Sequence, residues 1–206
     1  MPTPEEIAQI KLAPADPQVH ELIRKRWSPR AFSAQEVSPE DLRILFQAAE
    51  WAASCFNEQP WRFIVATRTD QPDWNQLLDC LVEVNQTWAK HAPVLMLTAA
   101  KRTFTQTGKP NYHSLHDTGM ALANLLLQAA SMGLAAHAMA GFDRAKARTA
   151  FNIPEDYVVG ASVAIGHWGD PASLPAKLQA AEIAPRTRKP LSDIVFSGGW
   201  GHPSGF

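Results

Sequence analysis

Apolar positions along the chain recur with two different periods, and the alternation between them outlines the elements. Val19, Leu22, Ile23 and Arg26 fall at helical spacing behind Asp16-Pro17, which reads as an N-cap followed by proline at the first helical position. Ser28-Pro29 closes that helix, since the residue before a proline avoids the α region. Ser38-Pro39-Glu40-Asp41 opens a second helix, with Leu42, Leu45, Phe46 and Ala49 as its buried stripe. WRFIVAT (61–67) predicts a strand, and residues 73–86 predict a helix with Leu77, Leu78, Leu81 and Val84 on one side.

The run PVLMLTAA (93–100) is apolar at nearly every position, as a strand covered on both faces should be. A polar loop with Gly108 and Pro110 follows over 101–112. Residues 113–132 predict a long helix, apolar enough in its second half to be buried on most sides, and Gly133 stops it. A short strand over 134–140, a helix capped by Asp143, a strand over 157–168 and a short helix after Leu174 complete the pattern. Helices and strands mixed in this way give one α+β domain.

Composition narrows the field. At 206 residues, 46% hydrophobic and 19% charged, the chain can bury a sizeable core. Nineteen basic against twenty acidic residues leave a formal charge of −1, so no basic excess marks a nucleic-acid or membrane surface. Two cysteines, Cys55 and Cys80, make no disulfide framework and fit a cytoplasmic protein with reduced thiols. No P-loop and no G-x-G-x-x-G occurs. His113-x-x-His116-Asp117 lacks a third ligand pattern, and no metal site is expected.

Four segments carry candidate chemistry. In Arg26-Trp27-Ser28-Pro29-Arg30, an extended backbone would put Arg26, Ser28 and Arg30 on one face, where two guanidiniums and a hydroxyl suit a phosphate. The same residues also suit a helix C-terminus complementing its dipole. Ala52 to Trp61 joins a helix to a strand and offers Ser54, Asn57 and Gln59 to the polar edge of a heteroaromatic ring. It also reads as a plain loop. Ala138-Met139-Ala140-Gly141-Phe142-Asp143 is a β–α turn whose glycine admits close approach to backbone amides. Arg186-Thr187-Arg188 is a basic pair near the chain end, or a solvated charge run.

Taken in order, R-x-S-x-R, S-x-x-N-x-Q-P-W, Asp117-Thr118-Gly119 opening the long helix, the G-F-D turn and R-x-R-K-P-L resemble the FMN-dependent nitroreductase family, from about Val19 to about Val195. The resemblance implies a single domain over 1–206, with an N-terminal arm (1–15) and a C-terminal extension (186–206). It implies a three-layer α/β/α sandwich with a mainly antiparallel central sheet, in an intertwined homodimer. It further implies bound FMN, reduced by NAD(P)H and reoxidised by a flat acceptor such as a nitroaromatic or quinone. Flavin fragmentation, reductive dehalogenation and flavin binding without turnover are the alternatives on the same fold.

By that resemblance Arg26, Ser28 and Arg30 hold the phosphate and ribityl end, with Trp27 in the same binding segment and Arg186 and Arg188 joining them. Ser54 and Asn57, with the backbone around Ala53 and Cys55, come from the other subunit to line the flavin. Asn85 contacts the pyrimidine edge. Met139 belongs to the binding set, and Ala140 and Gly141 present backbone amides near the reactive N5. No side chain is expected to be catalytic, because the flavin performs the hydride chemistry. Three positions depart from the family pattern: Ala53 stands for a proline, Trp88 for a basic residue and Ala140 for an acid. They leave the nicotinamide preference and the acceptor open.

Overall fold

The apolar run around residue 97 becomes the middle of the molecule. In the computed structural model, which describes residues 2–205 and leaves Met1 of the arm and Phe206 of the tail outside the described residues, β1 (Trp61–Thr67), β2 (Val94–Lys101), β3 (Leu134–Met139) and β4 (Tyr157–His167) form one sheet. Its order is β1-β2-β4-β3 and every pairing is antiparallel. Around it lie α1 (Pro4–Lys11), α2 (Glu21–Lys25), α3 (Pro39–Glu50), α4 (Gln71–Leu78), α5 (Glu83–Ala89), α6 (Ser114–Ser131), α7 (Arg144–Ala150) and α8 (Ala176–Ile183).

Alternation along β2 divides the core in two. Leu95, Leu97 and Ala99 pack with Trp74 and Leu77 of α4, Trp88 of α5 and Ala147 of α7. Val94 and Met96 pack with Leu45 and Ala49 of α3 and with Ala121, Leu125 and Ala129 of α6. A strand covered on both faces has few polar positions to spare, which explains the nearly unbroken apolar run; its one polar side chain on a buried face, Thr98, accepts the Ala161 N–H at 2.8 Å. The layering is that of an α/β/α sandwich.

Three local expectations are corrected. The expected arm contains α1, whose Thr3 hydroxyl accepts the Glu6 N–H while Glu6 accepts the Thr3 N–H, a reciprocal cap readable in Thr3-Pro4-Glu5-Glu6. The helix expected behind Asp16-Pro17 starts later, at Glu21, because Asp16 takes the Gln18 N–H and makes a turn instead. The helix expected over 73–86 is two helices. Leu81 pairs with Phe142 as an isolated bridge and the Val82 N–H goes to the Gly141 carbonyl, so the chain must straighten there. The second half of α6 is largely covered within one protomer, while Leu115, Gly119 and Ala123, four residues apart, share an exposed face.

Candidate active site

The first half of the site lies along the β3 edge. Arg26 follows α2 with extended backbone angles, so side chains alternate from there. Arg26 Nη1 lies 3.3 Å from Ser28 Oγ. Trp27 points the other way, edge-on to Trp168 with ring centres 6.1 Å apart and with the Lys11 ammonium 4.8 Å above its ring. Burial, and then the charges of Arg186 and Arg188, push the Arg26 guanidinium below its ordinary value. Arg186 is itself fixed, donating to the carbonyls of Lys11 (3.0 Å) and Arg24 (2.9 Å), while Arg188 is exposed and donates to its neighbour Thr187. None of these cations is among the ion pairs of the described residues. Like charges gathered with no carboxylate in ion-pair contact among the described residues suit an anion.

His137 of β3 backs this cluster, and sequence reasoning missed it. Its Nδ1 lies 2.9 Å from the Pro29 carbonyl, and its ring centre 4.8 Å from that of Trp88. Burial, aided by Arg30 and Arg26 and only partly opposed by the Pro29 and Ser28 backbone, pushes the imidazole down to about 4. The ring is therefore neutral near pH 7, with Nδ1–H donating to Pro29. A lone histidine in an apolar strand was the only signal available.

Asn85 sits one turn before Trp88 in α5, and its Nδ2 donates to the Gly141 carbonyl at 3.0 Å. Two residues expected near one ligand are thus in contact. Met139 turns its side chain into the core, while Ala140 is exposed. A Cβ on Gly141 would meet Asn85 Nδ2 at 2.6 Å and Val82 Cγ2 at 3.0 Å. Gly141→Ala is therefore expected to expel the Asn85 amide and cost about 1 kcal/mol, the worth of one such bond. Urea unfolding checks this, and adding Asn85→Ala to Gly141→Ala should cost little more.

The second half is the loop before β1. Phe56, Asn57 and Gln59 all have positive φ, at 52°, 55° and 49°. Asparagine tolerates this readily and phenylalanine does not, so the loop stores strain of about 1 kcal/mol or more per outlier. Three contacts hold it. The buried Asp117 carboxylate at the start of α6 accepts the Cys55 N–H at 2.9 Å. Ser54 Oγ accepts the Gln59 N–H at 3.0 Å. Glu58 accepts the Thr105 N–H at 2.8 Å and its hydroxyl, tying the loop to the polar segment after β2. Ala53 and Asn57 are left exposed, and Phe56 is 92% exposed.

The two halves stand at opposite edges of one sheet, with β2 and β4 between β1 and β3. Three strand spacings amount to about 14 Å. One protomer therefore holds Arg26, Ser28 and Arg30 in a segment bonded to His137 of β3 and tied to Arg186 through Arg24, holds Asn85 against Gly141 just after β3, and separately positions Ala53, Ser54, Cys55 and Asn57 before β1.

Comparison with known proteins shows the family. The model of the nitroreductase family matches residues 23–78 and 70–167. A Xanthomonas oryzae protein named "Putative NADH dehydrogenase/NAD(P)H nitroreductase" is 30% identical over 172 residues, which is 75% of this chain and 86% of that one. A solved structure described as an oxidoreductase containing FMN superposes with a TM-score of 0.87 at 35% identity, over 93% of this chain and 98% of the other. A Desulfovibrio desulfuricans protein solved in complex with FMN superposes with a TM-score of 0.68 at 25% identity, over 90% of this chain and 99% of the other. With the match running through α3, the strained loop and all four strands, this chain belongs to the nitroreductase family.

Proposed function

We propose that the chain is an FMN-dependent NAD(P)H oxidoreductase that delivers reducing equivalents to a flat acceptor such as a nitroaromatic or quinone. We further propose a homodimer in which each site draws on both copies. The observation that carries the reading is the cation cluster, Arg26 with Arg186 and Arg188 and Arg30 near Lys11 and Arg186, none of them in an ion pair among the described residues, together with the glycine turn after β3 and the side-chain amide bonded to it. Its donor set fits FMN. Guanidiniums and the Ser28 hydroxyl match a phosphate, and the Asn85 amide and the backbone at Ala140 and Gly141 match the polar edge of a flavin.

Bound FMN supplies the hydride chemistry. The residues of this chain bind and orient it. The Arg26–Ser28–Arg30 face anchors its anionic end, and His137, neutral and hydrogen-bonded, fixes the Pro29 carbonyl behind that face. Donors at the polar edge stabilise negative charge on a reduced ring. The loop over 53–57 completes the site from the second copy. Support for two copies comes from the separation of the halves and from the apolar face at Leu115 and Ala123. Trp51, 84% exposed at the end of α3, is a further exposed apolar group, and α3 meets α6 through Asn124 and the Ala48 carbonyl. Patches of this kind mark interaction surfaces.

No helix among the described residues is long and apolar enough to cross a membrane. A cytoplasmic setting fits the two unpaired thiols, Cys55 and Cys80. Apoprotein mixed with FMN should turn yellow, and NADH or NADPH added without oxygen should bleach that colour within one turnover. A folded protein that takes up no FMN would remove the proposal, and one whose bound flavin resists both nicotinamides would reduce it to flavin binding.

A further inference from the structure

Glu182 lies in the last turn of α8 and is fully buried. Its Oε1 accepts two successive backbone N–H groups, from Arg30 at 2.8 Å and from Ala31 at 3.0 Å. Its Oε2 has no hydrogen-bond partner among the described residues. A buried carboxylate carries a desolvation penalty of several kcal/mol, so its presence here calls for compensation. Cations supply some: Lys11 feels the attraction of Glu182 together with the repulsion of Arg30 and Arg186.

Four residues beyond Glu182, Arg186 bonds to the carbonyl of Arg24. The end of α8 therefore grips the segment 24–31 at both ends, through Arg186 at Arg24 and through Glu182 at Arg30 and Ala31. Between those two grips lie Arg26 and Ser28. The spacing between the two halves of the cation cluster is set by this double attachment, and only one of the two attachments comes from a residue of the cluster itself.

We infer that Glu182 is a positioning residue for the anion end of the site: it sets the preference for a flavin carrying a phosphate over one that does not. The inference rests on the FMN reading above. Glu182 touches no ligand. It acts through the backbone of Arg30 and Ala31.

The test compares FMN with riboflavin, which has the same ring and no phosphate. Each is titrated by fluorescence quenching into apoprotein of the wild type and of Glu182→Ala, Glu182→Asp and Glu182→Gln, with the melting temperature of each apoprotein recorded. Loss of two hydrogen bonds to a charged acceptor is expected to weaken FMN binding by Glu182→Ala about tenfold or more. Riboflavin binding should stay unchanged, so the ratio of the two affinities falls by the same factor. Glu182→Gln keeps an acceptor oxygen at the same reach and should restore the ratio to within about threefold.

A role confined to stability would lower the melting temperature and weaken both flavins equally, and that result overturns the inference. So does a folded Glu182→Ala protein with the wild-type ratio. If Glu182→Ala does not fold, Glu182→Asp decides the matter: its side chain is one methylene too short for both amides, so its ratio should fall, and a wild-type ratio overturns the inference. Wild-type apoprotein that takes up neither flavin refutes the FMN reading itself, a different signature from a failure of Glu182 alone.

Discussion

Arg26→Ala combined with Arg30→Ala is expected to weaken FMN binding about a thousandfold, because two charge-assisted contacts of about 2 kcal/mol each are lost. The apoprotein should remain folded. Burial and the neighbouring charges of Arg186 and Arg188 already disfavour the charged Arg26 side chain, so removing it relieves repulsion. Its hydrogen bond to Ser28, at 3.3 Å, is a small loss. Two measurements check the account together: a fluorescence titration with FMN, and the melting temperature of the apoprotein. Salt should weaken wild-type binding and matter less in the double variant, since screening acts on the charges that were removed. A double variant that binds FMN within about threefold of wild type would show that the phosphate sits elsewhere.

The second large effect concerns acid. His137 is held at about 4 in the folded protein, against an ordinary value of 6.5. Between those values the unfolded chain binds a proton that the folded chain refuses, so stability falls with pH in that window. It should be constant above about pH 6.5, drop by about 3 kcal/mol on the way to pH 4, and level off below that. Carboxylates elsewhere add their own acid dependence, so the wild type must be compared with His137→Asn, whose amide can still donate to the Pro29 carbonyl. Urea unfolding at pH 7.5 and pH 4 gives the comparison. The variant should lose about 3 kcal/mol less than the wild type, and equal losses would contradict the burial of a neutral imidazole against Trp88.

Much of the sheet was legible because its signal is local. β2 is apolar at nearly every position and β4 nearly so, and a strand with both faces covered reads that way in any context. Ser38, Gly133 and Asp143 marked helix ends through cap chemistry that needs no tertiary information. The break between α4 and α5 was not legible, since Leu77, Leu78, Leu81 and Val84 keep a helical period across it. Contacts some sixty residues on end the helix: the bridge from Leu81 to Phe142 and the Val82 N–H on the Gly141 carbonyl.

The site divides in the same way. Arg26, Ser28 and Arg30 alternate on an extended segment, and proline at 29 announces that. Each motif alone fitted an ordinary turn or cap, and only their order along the chain carried the family. Glu182 and His137 were invisible because an acid among alanines and a histidine in a strand acquire meaning from contacts more than a hundred residues away. The strained backbone at Phe56 was equally hidden. Its conformation is imposed from outside, by Asp117 and Thr105 through the residues flanking it.

The central claim, that each flavin site is assembled from two copies of the chain, can be tested by complementation. Arg26→Ala/Arg30→Ala disables one half of the site, and Ser54→Ala/Asn57→Ala disables the other. Neither variant alone should hold FMN. Co-expressed, they form mixed dimers in which one site combines both intact halves and the other combines both defects. Random pairing should then restore about a quarter of the wild-type FMN content. A co-expressed mixture as colourless as either parent would contradict the account.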